Sequence, residues 1–469
     1  MTHQTPTDGF PAATAGRLVV LSNRVPTQSE PAGGLVVALH DCLTERGGLW
    51  IGSSGAETIG ADNTLTAHKH ANYTRMTFDL TPDEHDKFYL GYANSILWPL
   101  FHHRSDLMQV DPAYIAAYTA VNARVAKMVA AQLEPEDVLW VHDYHFLPIA
   151  RDLRKLGVNN RIGFFLHTPF PVAPDVLALP ERAAFNTWLA AFDLVGLQTE
   201  RDVAALLELF RSDPKAEFMS DGSIKTATGQ FRVKSFPIGI DVDDFVNLAD
   251  AAGDGDALAL APDTKLIIGV DRLDYSKGLV NRFEAFATYL RDHAASRPRA
   301  TLVQIAQPSR EALDAYQDMR TELEATSGAI NGTYGELDWT PIRYMNRGVP
   351  RARLAGVYRR ADVCLVTPIA DGMNLVAKEF IAAQDAADPG VLILSHFAGA
   401  AEQMVDALLV NPYDTEEVAT AIARALDMTI EERRTRHARL LQGLRAQNIT
   451  WWANSFLTSL DAPRVRVTL

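Results

Sequence analysis

The chain runs to 469 residues, 47% hydrophobic and 22% charged, which is long for one hydrophobic core and comfortable for two. Its 44 basic residues face 58 acidic ones, a formal charge of −14, which argues against general affinity for nucleic acid or an anionic membrane. With 29 Gly and 24 Pro and no biased tract, the composition is that of compact soluble domains rather than a fibre or a disordered chain.

Two cysteines, Cys42 and Cys364, are too few for a disulfide framework and lack a CxxC spacing, so they read as packing residues in a reducing cytosol. No apolar run is long enough to span a bilayer, and residues 1–16 lack a signal pattern. They are expected to form a frayed tail, and the protein to be cytoplasmic.

Along the chain, short apolar runs alternate with amphipathic stretches. The first series of runs falls at 18–21, 138–141, 162–166 and 194–197. The second falls at 266–270, 301–306, 363–366, 391–394 and 408–410. Unalternating apolar runs predict parallel strands buried on both faces. Helical crossovers are predicted at 114–132, 203–210, 280–289 and 416–428. The Ala-, Asp- and Gly-rich stretch 242–263 reads as the place where one domain hands over to the next. The expectation is α/β, with two doubly wound domains facing each other and the chemistry at the carboxyl ends of their strands.

Those strand ends carry the informative residues. Ser22-Asn23-Arg24 ends the first run, and Gly33-Gly34 then precedes a helical stretch, where free N–H groups could meet a phosphate. Taken alone, a glycine pair is more often a turn. The aromatic stretch containing Tyr89 and Trp98 reads first as core. His142-Asp143-Tyr144-His145 and His167-Thr168-Pro169 end two further runs. They hint at a metal, but no further ligand set has a recognised spacing, and groups for binding sugar hydroxyls suit them better.

In the second half, Asp271-Arg272-Leu273-Asp274-Tyr275-Ser276-Lys277-Gly278 sets two cations five positions apart, suited to straddling a diphosphate. A salt bridge from Arg272 to Asp271 or Asp274 is the rival reading. Asp371-Gly372-Met373-Asn374-Leu375-Val376 follows a strand and opens a helix, with Asn374 as its N-cap. Glu379 falls one turn inside, where a carboxylate could hold both ribose hydroxyls of a nucleotide, or could be merely solvated. Arg310 follows another strand and could bind an anion, or could pair with Glu311 or Asp314.

Together these segments, with Leu97-Trp98-Pro99, Asn159-Asn160-Arg161-Ile162-Gly163 and Phe236-Pro237-Ile238-Gly239-Ile240, resemble the trehalose-6-phosphate synthase family of retaining glycosyltransferases across residues 17–455. The resemblance implies a GT-B fold, two Rossmann-like domains facing each other across a cleft, and a C-terminal helix returning to the first domain. It divides the chain into a tail (1–16), an acceptor domain (17–241), a nucleotide-sugar donor domain (242–450) and a returning segment (451–469), anchored by Trp451, Trp452 and Phe456.

By the same resemblance, glucose 6-phosphate would be received by Arg24, Tyr89, Trp98, Asp143 and Arg310. The donor, UDP-glucose first and GDP- or ADP-glucose next, would be held by Gly33, Gly34, His167, Arg272, Lys277, Asp371, Gly372, Met373, Asn374, Leu375, Val376 and Glu379. Asp143, His167, Arg272, Lys277 and Asp371 would carry the chemistry, with Asp143 open as a base or only an acceptor ligand. No metal or cofactor is implied, and a homo-oligomer, dimer or tetramer, is. Thr168 and Ala32 stand where the family often has Ile and Ser, and neither change removes a binding group. The chain leaves no room for the fused phosphatase of some relatives, so a separate enzyme is expected to finish trehalose synthesis. Relatives using glycerol 3-phosphate or a cyclitol phosphate share much of this motif set. A silent regulatory subunit would be expected to have lost Arg272, Lys277 or Glu379, and all three are present.

Overall fold

The computed structural model describes residues 16–26, 34–70, 72–253, 264–293, 299–310 and 313–462. Residues 1–15 of the expected tail, and Gly33, lie outside the described residues. The chain forms two compact units, residues 1–238 with 449–469, and residues 239–448. Among the described residues, no helix is long and apolar enough to cross a membrane.

The first unit holds strands β1 (Leu18–Arg24), β2 (Gly48–Glu57), β3 (Thr66–His70), β4 (Tyr73–Leu80), β5 (Val138–His142), β6 (Arg161–Phe165), β7 (Leu194–Leu197), β8 (Glu217–Phe218), β9 (Ile224–Lys225) and β10 (Gln230–Ser235). Their order is β3-β4-β2-β1-β5-β6-β7-β10-β9-β8. The central strands are parallel and fully buried, which is why their runs do not alternate. At one edge β3 pairs antiparallel with β4, and its exposed Thr-Ala-His-Lys-His sequence suits a strand with one open side.

The last described helix, Ile449–Asp461, belongs to this unit. Trp452 and Phe456 are fully buried, and the Phe456 ring stacks on Trp140 at 4.7 Å between centroids. Trp451, the third expected anchor, is only half-buried. Phe456 lies so close to β6 and β7 that a Cβ on Gly163 or Gly196 would come within 2.7 Å of its ring. Arg161 and Arg232 donate to the carbonyls of Ala462 and Ser459 at 2.8 and 2.7 Å, placing cations at the negative end of the helix.

The second unit holds β11 (Lys265–Arg272), β12 (Ala300–Gln307), β13 (Ile342–Met345), β14 (Val363–Val366), β15 (Val391–Ser395) and β16 (Leu408–Val410). All are parallel, in the order β13-β12-β11-β14-β15-β16, the doubly wound arrangement. Ile267, Leu302, Val363 and Ile393 join Phe283, Phe286 and Ile422 from the covering helices in one core.

The stretch expected to be a handover differs. Val242–Ala252 is a helix, capped by the Asp241 carboxylate on the Asp244 N–H at 2.9 Å. Val242, Phe245 and Ala249 are buried at helical spacing, a period hidden by the Ala- and Asp-rich composition. The remainder, 254–263, lies outside the described residues.

Candidate active site

In each sheet the order reverses beside the first strand, and ligands of such sheets bind at the carboxyl ends there. In the first unit that point lies between β1, ending at Arg24, and β5, followed by Asp143. In the second it lies between β11, ending at Arg272, and β14, followed by the loop to Asp371. Of the sequence-predicted residues, Arg24, Asp143, Arg272 and Asp371 thus occupy the two switch points.

A cavity of about 120 Å³ opens beside Arg24, lined also by Asn23, Ser53, Gly55, Ala56, Leu80, His85 and Tyr89. Gly55, at φ 82°, makes room for the arginine, since a Cβ there would stand 2.3 Å from Arg24 Nη2. Tyr89 belongs to a thirteen-residue π-helix, His85–Leu97. Asn94 and Ser95 sustain its wide turns by donating to the carbonyls five residues earlier, at 2.8 and 2.7 Å. His85 stacks on Tyr89 at 5.3 Å and contacts Glu57 at 3.3 Å. Neither His85 nor the π-helix was expected. Trp98 follows this helix but is only 5% exposed, packed on His102 and outside the cavity lining.

Asp143 sits just beyond β5 at φ 70°, ψ 168°, a region essentially reserved for glycine. Its carboxylate accepts from the His167 N–H at 3.4 Å, joining the two strand-end motifs. The His142 and His167 rings face each other at 3.1 Å, Nδ1 to Nε2. Burial pushes His142 well below the usual imidazole range and His167 down to about 3. Gln198, unnoticed in the sequence, reaches His167 Nδ1 at 3.5 Å. It follows the apolar run of β7, so the rule that selected His142 and His167 would have found it. Gly34 begins helix Gly34–Arg46.

In the second unit the loops after β11 and β14 are laced together. The N–H groups of Ile369 and Ala370 donate to the Ser276 carbonyl at 2.8 and 3.2 Å. Gly278, at φ 61°, permits the approach, as a Cβ would meet the Thr367 carbonyl at 2.5 Å. Lys277 thereby reaches Asp371 at 2.6 Å. Asp371 also accepts from Asn374 Nδ2 at 3.1 Å, while Asn374 Oδ1 caps helix Leu375–Ala383 at the Ala377 N–H, 3.1 Å. Gly372 and Met373 are buried in this loop, and Leu375 and Val376 are half-buried at the helix start.

Glu379 is half-buried, not merely solvated, and burial pushes its carboxyl up to about 7 against the opposing influence of Arg351. The adjacent Lys378 is fully buried and donates to Gln403 at 2.7 Å, with burial bringing its ammonium down to about 7.

The acids offered as partners for Arg272 hold other cations. Asp271 pairs with the buried Arg282, which also donates to Gln304 and Thr367 at 2.8 and 2.9 Å. Asp274 pairs with Arg310 at 2.9 Å. Arg310 therefore has a buried acidic partner, found 36 residues back rather than beside it. Glu311 and the Asp314 side chain lie outside the described residues. Among the described residues four non-glycine positions have positive φ, and three are sequence-predicted site residues: Asp143, Arg310 and Asn374. Among the described residues no three His, Cys, Asp or Glu side chains gather as a metal site.

The sequence model of glycosyltransferase family 20 matches residues 15–462. The chain belongs to this family. A trehalose-6-phosphate synthase of Citrobacter koseri is 44% identical over 461 residues, covering 97% of each chain. An α,α-trehalose-phosphate synthase (UDP-forming) from Burkholderia xenovorans, solved in complex with glucose-6-phosphate, has a TM-score of 0.91 at 43% identity, covering 95% of this chain and all of that one (100%). A structure from E. coli bound with UDP-2-fluoro glucose has a TM-score of 0.90 at 42% identity, covering 96% and 100%. This family-20 chain is accordingly a glycosyltransferase of the trehalose-6-phosphate synthase type, with the GT-B fold.

Proposed function

We propose that this enzyme transfers glucose from UDP-glucose to glucose 6-phosphate with retention, giving α,α-trehalose 6-phosphate and UDP. The observation that carries the reading is the strained backbone at Asp143, Arg310 and Asn374, because such conformations persist where a site over-determines them. The choice of substrates is supported by the glucose-6-phosphate and UDP-2-fluoro glucose held by the two relatives.

In this reading Arg24, Tyr89, Trp98, Asp143 and Arg310 receive the acceptor, whose phosphate meets the Arg24 cavity. Gly33, Gly34, Arg272 and Lys277 hold the donor diphosphate, and Glu379 the ribose. His167 and the loop from Asp371 through Val376 hold the donor glucose. The acceptor hydroxyl attacks the anomeric carbon on the face from which the diphosphate departs. The new C–O bond forms as the old one breaks, and a leaving phosphate oxygen takes the proton. Arg272 and Lys277 stabilise the departing charge. The test is a panel of UDP-, GDP- and ADP-glucose against glucose 6-phosphate, glycerol 3-phosphate and unphosphorylated glucose. UDP-glucose with glucose 6-phosphate should give the highest kcat/KM. A higher value for glycerol 3-phosphate would move the enzyme to another acceptor, and no turnover with any pair would point to a regulatory protein.

A further inference from the structure

We infer that Gln198 is a positioning residue that presents His167 to the donor sugar as a hydrogen-bond acceptor; the inference rests on the reading of His167 as a donor-glucose contact. The buried Gln198 side-chain carbonyl accepts the Ile238 backbone N–H at 3.0 Å. With its oxygen so engaged, the amide turns its NH₂ towards His167 Nδ1 at 3.5 Å. An NH₂ group only donates, so Nδ1 carries a lone pair. A neutral imidazole has one ring hydrogen, which must then sit on Nε2, facing His142 Nδ1 at 3.1 Å. His142 Nδ1 accepts in turn, and its own hydrogen lies on Nε2, a buried atom with no hydrogen-bond partner among the described residues; the Trp140 ring packs against this imidazole at 4.5 Å between centroids.

A backbone N–H cannot exchange roles with its acceptor, so Ile238 sets the direction of every bond in this series. The Gln198 contact is the longer of the two at His167, and weak by ordinary hydrogen-bond standards. Nδ1 is therefore the atom open to a competing donor. A sugar hydroxyl arriving there gives its hydrogen to the ring and receives none. Reversing the tautomer would present an N–H there, so the hydroxyl would have to accept instead of donate and would give up the orientation that the acceptor nitrogen sets.

The experiment is long-range ¹H–¹⁵N correlation on ¹⁵N-histidine-labelled protein, with His167→Gln and His142→Gln for assignment, beside kinetics. Wild-type His167 should be the Nε2–H tautomer. Gln198→Glu sets a carboxylate opposite Nδ1 and should move the hydrogen to that nitrogen. It should lower kcat/KM for UDP-glucose at least ten-fold while leaving the affinity for UDP, which has no glucose, within about two-fold. A merely structural residue would not divide the two ligands in this way. An Nδ1–H tautomer in the wild type overturns the proposal by itself, even if the variant fails to fold. A folded Gln198→Glu with wild-type kinetics, beside a crippled His167→Ala, overturns it as well. If His167→Ala were itself as active as wild type, the reading of His167 would fall, and this inference with it.

Discussion

Lys277 and Asp371, 94 residues apart in the chain, form a 2.6 Å ion pair in which both side chains are nearly buried. The lacing of Ser276 to Ile369 and Ala370 holds their loops together, so the ammonium is fixed before any ligand arrives. A prepositioned cation loses little side-chain entropy on meeting a phosphate. Lys277→Ala removes one charge-assisted bond, worth about 1.5–3 kcal/mol. UDP affinity should fall by roughly 10- to 150-fold. Calorimetry on the folded variant checks this, and unchanged affinity would remove Lys277 from the donor site.

Arg310 is expected to act on both stability and recognition. Its removal leaves Asp274, which is fully buried, without that cation, and breaking such a pair costs about 3–5 kcal/mol. Arg310→Ala should therefore melt at lower temperature and also show an apparent KM for glucose 6-phosphate raised roughly ten-fold or more. UDP binding should stay nearly intact, while discrimination between glucose 6-phosphate and glucose shrinks. A destabilised variant with unaltered acceptor preference would leave Arg310 a structural residue only.

Glu379 is expected to make donor binding depend on pH. Its folded-state carboxyl titrates near 7 rather than 4.5, so the folded protein favours the protonated form and loses stability as pH rises from about 4.5 through 7. Ribose hydroxyls donate best to the ionised form, so UDP affinity should rise between pH 6 and 8. Glu379→Gln should flatten that rise, and should stabilise the ligand-free protein more at pH 8 than at pH 5. Titration calorimetry and thermal melts at the two ends of the range measure both effects. A variant with the wild-type pH slope would place the ribose elsewhere.

The returning helix should be a large contributor to the first unit's stability. Phe456→Ala empties a fully buried ring site between Trp140, Gly163 and Gly196, a change that costs about 3–5 kcal/mol. Gly163→Ala presses a methyl into the same ring and should cost about 1–3 kcal/mol. The double variant should recover part of the glycine's loss, because the ring that clashes is gone. Denaturant unfolding of the four proteins tests this, and strict additivity would mean the contact is not felt.

Much of this architecture can be read from apolar runs because parallel strands hide both faces, as at 138–141 and 363–366. The same rule misses β2 to β4, where Trp50-Ile51 gives way to Ser53-Ser54-Gly55, and Tyr73–Leu80 alternates. The π-helix His85–Leu97 is invisible to a 3.6-residue period, since its wide turns depend on Asn94 and Ser95 reaching back five residues. Residues at strand ends were legible as a site because polar groups there have few structural uses. Which of them pair was not: Asp274 with Arg310, Asp371 with Lys277 and Gln198 with His167 each join residues of different loops. Such pairings are properties of the fold, and no local spacing announces them.

The central claim is a transfer of glucose that keeps its anomeric configuration. The direct measurement is proton and carbon NMR of the product formed from UDP-glucose, labelled with ¹³C at the anomeric carbon, and glucose 6-phosphate. The account expects one non-reducing disaccharide phosphate, with both anomeric centres α and the label in the unphosphorylated ring, released with an equal amount of UDP. A β-linked product, a reducing disaccharide, or free glucose with no disaccharide would contradict it.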